Sequence, residues 1–135
     1  MCPFDAGESE KRPFRIEPAA LCLQSVDHKG LGVFALRRFQ RGEVVERARV
    51  ILMPGSQWEI LNRTALEHYY YKWGSEAVCI ASGFGSFYNH SDTPNVRYDP
   101  KFDEQVMEYI ALRDIECGEE ITIKYGCPIW FEPCG

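Results

Sequence analysis

The sequence predicts a mostly β domain of short strands with one helical insert. Three observations carry that expectation. Apolar and polar residues alternate over short runs, the runs are separated by Gly, Pro, Asn and Asp clusters, and a helix-like period is confined to residues 56–73.

Residues 1–13 read as a polar, flexible tail, and the strand pattern begins soon after. Leu21, Leu23 and Ser25 alternate with Cys22, Gln24 and Val26. Gly32 to Leu36 is a short apolar run, and Val44 to Met53 is a longer β-branched stretch. Asn95 to Tyr98, Gln105 to Leu112 and Ile121 to Lys124 complete the expected strands. The turns fall at 27–30, 40–42, 92–94 and 99–100. Phe39 to Val44 and Ile115 to Ile121 echo each other as a Gly turn feeding a strand, which is read as shared turn chemistry and not as an internal duplication. In the insert, Ser56–Glu59 and Thr64–Glu67 match capping boxes. Trp58, Leu61, Ala65, Leu66, Tyr69 and Tyr70 follow near-helical spacing, and Gly74 ends it. This predicts one broken helix or two short ones. No helix alternates with the strands, so a parallel α/β sheet is not expected.

The chain has 135 residues, a length that suits one domain. Its 45% hydrophobic content argues against disorder throughout. Twenty acidic against fifteen basic residues argue against direct nucleic-acid binding and suit a cationic partner. No apolar run approaches the roughly 18 residues of a membrane span, and no secretory signal is evident, so no membrane association and an intracellular site are expected. The six cysteines are accordingly expected to be reduced thiols, with Cys22 and Cys79 as small core residues. None forms a CxxC pair, so no metal is expected. A zinc held by Cys127 and Cys134 with a distant pair is the alternative. Tyr70, Tyr71 and Trp73 suit either a homodimer surface or core packing.

Three segments are candidates for chemistry. Lys29-Gly30-Leu31-Gly32 lets a ligand approach the backbone, but a strand follows it and the third glycine of a dinucleotide loop is absent. Taken alone it is a tight hairpin turn. Gly83 to Ser91 places Asn89 and His90 after a glycine-spaced apolar approach. Ser91 lacks the surroundings of a hydrolase nucleophile. Tyr125 closes a strand before Gly126, either at a cleft rim or half-buried in a sheet.

As an ordered set, GLGVFALRRFQRGEVV, GFGSFYNHSDTPNVRY and ALRDIECGEEITIKYG resemble the SET-domain family of protein-lysine methyltransferases. The resemblance covers about residues 14–131. The compact layout, and the YGCPIW ending, are most similar to the minimal viral SET protein that methylates histone H3. The resemblance implies a SET domain over residues 14–126, a short extension over 127–135, and small curved β-sheets around a knot-like C-terminal segment.

It also implies roles. Lys29, Gly30, Leu31 and Gly32 would line S-adenosyl-L-methionine, which leaves as S-adenosyl-L-homocysteine. Asn89, His90, Tyr125 and Trp130 would contact the same cofactor. Tyr125 and Tyr69 would be catalytic, and Tyr69, Phe87, Ile123 and Tyr125 would line a lysine channel. The substrate would be a basic protein or peptide, with a histone tail foremost. The location would be nuclear in a eukaryote or virus and cytoplasmic in a bacterium. The cysteine cluster that holds structural zinc in many members is absent. Ile123 stands where many members carry the Phe or Tyr that tunes methylation degree, which leaves that degree open. A catalytically inactive SET module that binds a peptide or scaffolds a complex is the other reading.

Overall fold

The computed structural model describes residues 20–27 and 30–125. The tail at 1–13, Lys29, Trp130, the extension at 127–135, and Cys127 and Cys134 lie outside them.

Among the described residues, nine strands form two sheets. β1 (Leu21–Val26), β2 (Gly30–Ala35), β6 (Asn89–His90) and β9 (Glu120–Ile123) form one sheet in the order β1-β2-β9-β6. β3 (Val44–Pro54), β4 (Tyr70–Trp73), β5 (Ala77–Ala81), β7 (Val96–Lys101) and β8 (Val106–Ala111) form the other, in the order β4-β5-β3-β8-β7. All pairings are antiparallel except β6 with β9, where Asn89 faces Thr122 and His90 faces Ile123. β9, near the C-terminus, therefore lies between an early strand and a middle one. That crossing brings residues far apart in sequence to one place.

The hydrophobic core joins the inner faces of both sheets. Val33, Ala35 and Ile121 meet Ala48, Val50, Tyr109 and Ala111, with Tyr88 packed among them. Cys79 sits in this core as expected, and burial pushes its thiol up to about 12. Cys22 is only half-buried.

The two echoing segments pair with each other about an approximate two-fold relationship. Phe39 and Ile115 exchange both backbone hydrogen bonds, at 2.9 and 2.8 Å. The Gly42 N–H donates to the Ala111 carbonyl, and the Gly118 N–H donates to the Ala35 carbonyl. Glu43 accepts the Gln40 N–H and an Arg37 guanidinium. Glu119 accepts the Glu116 N–H and an Arg113 guanidinium. The equivalence thus extends beyond the turns into the strands on either side. Phe39 and Ile115 are both wholly buried, and burying each side chain contributes about 1.5–3 kcal/mol.

The helical insert is shorter than the sequence pattern predicts. A single 3-10 turn at Gly55–Gln57 leads into α1 (Trp58–Leu61), and no side chain caps either start. Thr64 closes the helix instead. Its hydroxyl donates to the Leu61 carbonyl and accepts the Leu66 N–H. From Tyr70 the chain is extended and pairs with β5. Tyr71 and Trp73 turn toward the core, and Trp73 packs edge-on against Phe102 at 5.0 Å. Tyr71 and Trp73 thus contribute to core packing, while the half-buried Tyr70 donates its hydroxyl to Asn62 Oδ1 at 2.8 Å.

Candidate active site

The site forms where β2, β6 and the end of β9 meet, next to the 82–88 segment that links β5 to β6. The crossing of β9 beside β6 places Asn89, His90 and Tyr125 together, as the sequence resemblance implies. The Asn89 amide donates both hydrogens, to the Leu31 carbonyl at 3.0 Å and to Glu120 Oε2 at 2.8 Å. Two acceptors on one amide nitrogen fix its orientation. Toward any further partner the Asn89 side chain therefore presents an acceptor, Oδ1.

Gly32 lies directly beneath this pair. A Cβ there would fall 2.7 Å from Glu120 Oε2 and 3.0 Å from Asn89 Nδ2. The missing side chain is what lets β2 and β6 approach β9 so closely. Gly30 opens β2 at φ 79°, and Leu31 is exposed between the two glycines.

His90 accepts the Tyr125 backbone N–H on Nδ1 at 2.9 Å, so a neutral ring carries its proton on Nε2, which donates to Asp92 Oδ1 at 3.1 Å. The two rings lie 5.1 Å apart. The Tyr125 hydroxyl donates to the Tyr88 carbonyl at 3.0 Å. Burial first, and then proximity to Tyr69, raise the Tyr125 phenol above its ordinary value.

Tyr69 and Phe87 meet edge to face at 6.2 Å. Tyr69 is 40% exposed and Tyr125 47%. Tyr69 and Tyr125 are thus partly open to solvent and close enough for Tyr69 to act on the Tyr125 phenol. Ile123 lies wholly in the core, opposite His90 in the parallel pairing.

Sequence reasoning missed an inner layer of support. Tyr71, whose phenol burial pushes far up, donates its hydroxyl to the Gly85 carbonyl at 2.7 Å. The Tyr109 hydroxyl lies 3.0 Å from that of Tyr71. Glu46 on β3 is buried and accepts the Tyr88 hydroxyl at 2.6 Å and the Phe84 N–H at 2.9 Å. Asn95 is 2% exposed; it accepts the Thr122 N–H and donates to the Glu120 carbonyl, clamping β9. A usable signal existed for Asn95, because Asn follows Pro shortly after the Asn-His pair. Glu46, flanked by Val44, Val45 and Arg47, reads as an ordinary strand residue.

Residues 30–126 match the SET domain family. The chain is 32% identical over 111 residues to a Schizosaccharomyces pombe histone-lysine N-methyltransferase specific for H3 lysine-37, spanning 82% of this chain and 76% of that protein. It is 35% identical over 112 residues to the Drosophila melanogaster histone-lysine N-methyltransferase Set8, spanning 73% of this chain but only 16% of that protein. A crystal structure of a Plasmodium falciparum protein assigned as a histone methyltransferase superposes with a TM-score of 0.66 at 27% identity. That match covers 84% of this chain and 99% of the other.

The chain therefore belongs to the SET-domain family. Its class is that of the protein-lysine N-methyltransferases.

Proposed function

We propose that this protein transfers a methyl group from S-adenosyl-L-methionine to the Nε of a lysine in a histone tail, and that it acts on chromatin. The observation that carries the reading is the Tyr125 hydroxyl. It is hung on the Tyr88 carbonyl at 3.0 Å, near Tyr69, which itself packs edge to face on Phe87. The histone substrate is supported by the activities for which the fission yeast and fly relatives are named. The formal charge of −5 suits a basic tail.

The donor set fits the cofactor. Asn89 presents only an acceptor, which suits an ammonium group, and the Gly30-Leu31-Gly32 backbone lies next to it. Asn89, His90 and the backbone of residues 30–32 would hold S-adenosyl-L-methionine. When bound, it supplies a methyl group already activated by a sulfonium.

The remaining chemistry falls to the lysine. A lysine side chain in water titrates at about 10.4, so fewer than about one amine in a thousand is neutral near pH 7. Aromatic walls disfavour the ammonium and lower that pKa. Tyr69, Phe87 and Tyr125 are the residues for this. Since the Tyr125 phenol is pushed above its ordinary value, it stays protonated at neutral pH and is not the base. Its one hydrogen goes to the Tyr88 carbonyl, so toward an incoming amine it acts as an acceptor. An N–H of the substrate donated to it would aim the nitrogen lone pair. The lysine gives its proton to water before attack.

Mass spectrometry of histones and other basic proteins incubated with S-adenosyl-L-methionine tests this. Whole methyl units on lysine are expected, and Tyr125→Phe should slow the transfer at least about tenfold through lost orientation of the amine. Cofactor binding without transfer to any histone would overturn the substrate. Absence of both binding and transfer would overturn the function.

A further inference from the structure

The 82–88 segment carries two carbonyls that receive phenols, yet it forms no strand of its own. Gly85 O accepts from Tyr71 and Tyr88 O accepts from Tyr125. Something must fix this segment, because a carbonyl that drifts cannot aim the hydroxyl that hangs on it.

Glu46 is the residue placed to do so. It reaches from β3 and takes the segment at two points. One carboxylate oxygen accepts the Phe84 N–H at 2.9 Å, and the other accepts the Tyr88 hydroxyl at 2.6 Å. Gly83, at φ 62°, permits the approach; a Cβ there would fall 2.5 Å from Glu46 Oε2. Among the described residues no Lys, Arg or His forms an ion pair with Glu46. Burying an unpaired carboxyl costs stability, and burial raises its pKa. Apolar residues of similar shape in place of both Glu46 and the Tyr88 hydroxyl would fill the space without a buried carboxyl. The cost therefore points to a task other than packing.

We propose that Glu46 is a positioning residue for methyl transfer, setting through Tyr88 the carbonyl that orients the Tyr125 hydroxyl. Tyr88 carries the link in one residue. Its side chain is held by Glu46, and its backbone carbonyl holds Tyr125. The inference rests on the role proposed above for Tyr125.

The test is a double-mutant cycle on the full chain. Tyr88→Phe keeps the ring and removes the hydroxyl. It should lower kcat roughly tenfold, the effect of one lost buried hydrogen bond, with the KM for S-adenosyl-L-methionine little changed. In a Tyr125→Phe background the same substitution should lower kcat no more than about twofold, because the hydroxyl it served is gone. Glu46→Met, which loses the Phe84 contact as well, should lower kcat at least as much as Tyr88→Phe. Glu46→Gln should recover much of the rate, since its amide can still accept from Phe84 and donate to the Tyr88 oxygen. An equal fractional loss in both backgrounds, or a rise in KM at constant kcat, would overturn the proposal.

A second readout does not need activity. In protein labelled with ring-13C tyrosine, the Tyr125 signal (assigned from its loss in Tyr125→Phe) should shift in Tyr88→Phe and Glu46→Met. An unmoved signal overturns the link. A moved signal in a protein whose wild type methylates nothing overturns the functional reading and upholds the link from Glu46 to Tyr125.

Discussion

The imidazole of His90 accepts the backbone N–H of Tyr125 on Nδ1 at 2.9 Å. The bond ties the last described residue to a strand laid down much earlier in the chain, and it sets where the Tyr125 ring begins. His90→Ala removes the acceptor and should lower kcat at least about tenfold. In His90→Asn the side-chain oxygen can take the place of Nδ1, so that variant should keep more activity. Equal loss in both variants would show that the ring itself, and not its acceptor, is what matters.

Asn95 holds β9 from the other side. Its side chain pairs the Thr122 N–H and the Glu120 carbonyl at 2.9 and 2.8 Å while only 2% exposed. Asn95→Leu leaves both backbone groups without these partners and should cost about 2–4 kcal/mol. Urea unfolding of the two proteins at neutral pH measures this as a shift in midpoint. A loss below about 0.5 kcal/mol would mean that water or a backbone shift replaces the amide.

Much of this architecture is legible in local pattern, and the reasons for the gaps are physical. β1 and β2 announce themselves by alternation and a glycine turn. β4 does not, because Tyr69 and Tyr70 extend a helical period from Trp58. What makes Tyr70–Trp73 a strand is the edge of β5, a tertiary contact that overrides the local period. β6 is two residues long and exists only because β9 lies beside it. In the site, Gly30-Leu31-Gly32, Asn89-His90 and Tyr125 were legible as an ordered set. Their support was not. Glu46 and Tyr109 look like ordinary strand residues, and only the burial of Glu46 and its two short hydrogen bonds reveal its place.

Gly32 sits where a side chain cannot. A Cβ would lie 2.7 Å from Glu120 Oε2, 2.8 Å from Val26 Cγ2 and 3.0 Å from Asn89 Nδ2. Gly32→Ala must push the Asn89–Glu120 pair away from β2. The expected result is a loss of S-adenosyl-L-methionine affinity of about tenfold or more, together with a stability loss of about 1–3 kcal/mol from overpacking. Calorimetric titration and thermal melting separate the two effects. A destabilised protein with unchanged affinity would show that the cofactor does not lie against this pair.

Glu43 and Glu119 occupy equivalent places in the two paired turns. Arg37 and Arg113 each donate to them at 2.6 Å. These hydrogen bonds are the main cause that holds both carboxyls below the ordinary value of 4.5. A carboxyl whose folded pKa is depressed stabilises the fold above its unfolded pKa. That contribution is lost as the pH falls through the folded value. Glu46 acts in the opposite sense. Burial raises its folded pKa, so its contribution is present below the unfolded pKa and is lost as the pH rises through the folded one. Removing the arginines tests the contribution of Glu43 and Glu119. Arg37→Met with Arg113→Met should lower the urea midpoint at pH 7, by a modest amount because both pairs face solvent and are screened by salt. As the pH falls below about 4.5 the deficit should shrink, since protonated carboxyls no longer distinguish the two proteins. Parallel midpoint curves from pH 7 down to about pH 3 would mean that the arginines stabilise the turns by packing, as Arg37 does where it lies 4.1 Å over the Phe39 ring, and not by charge.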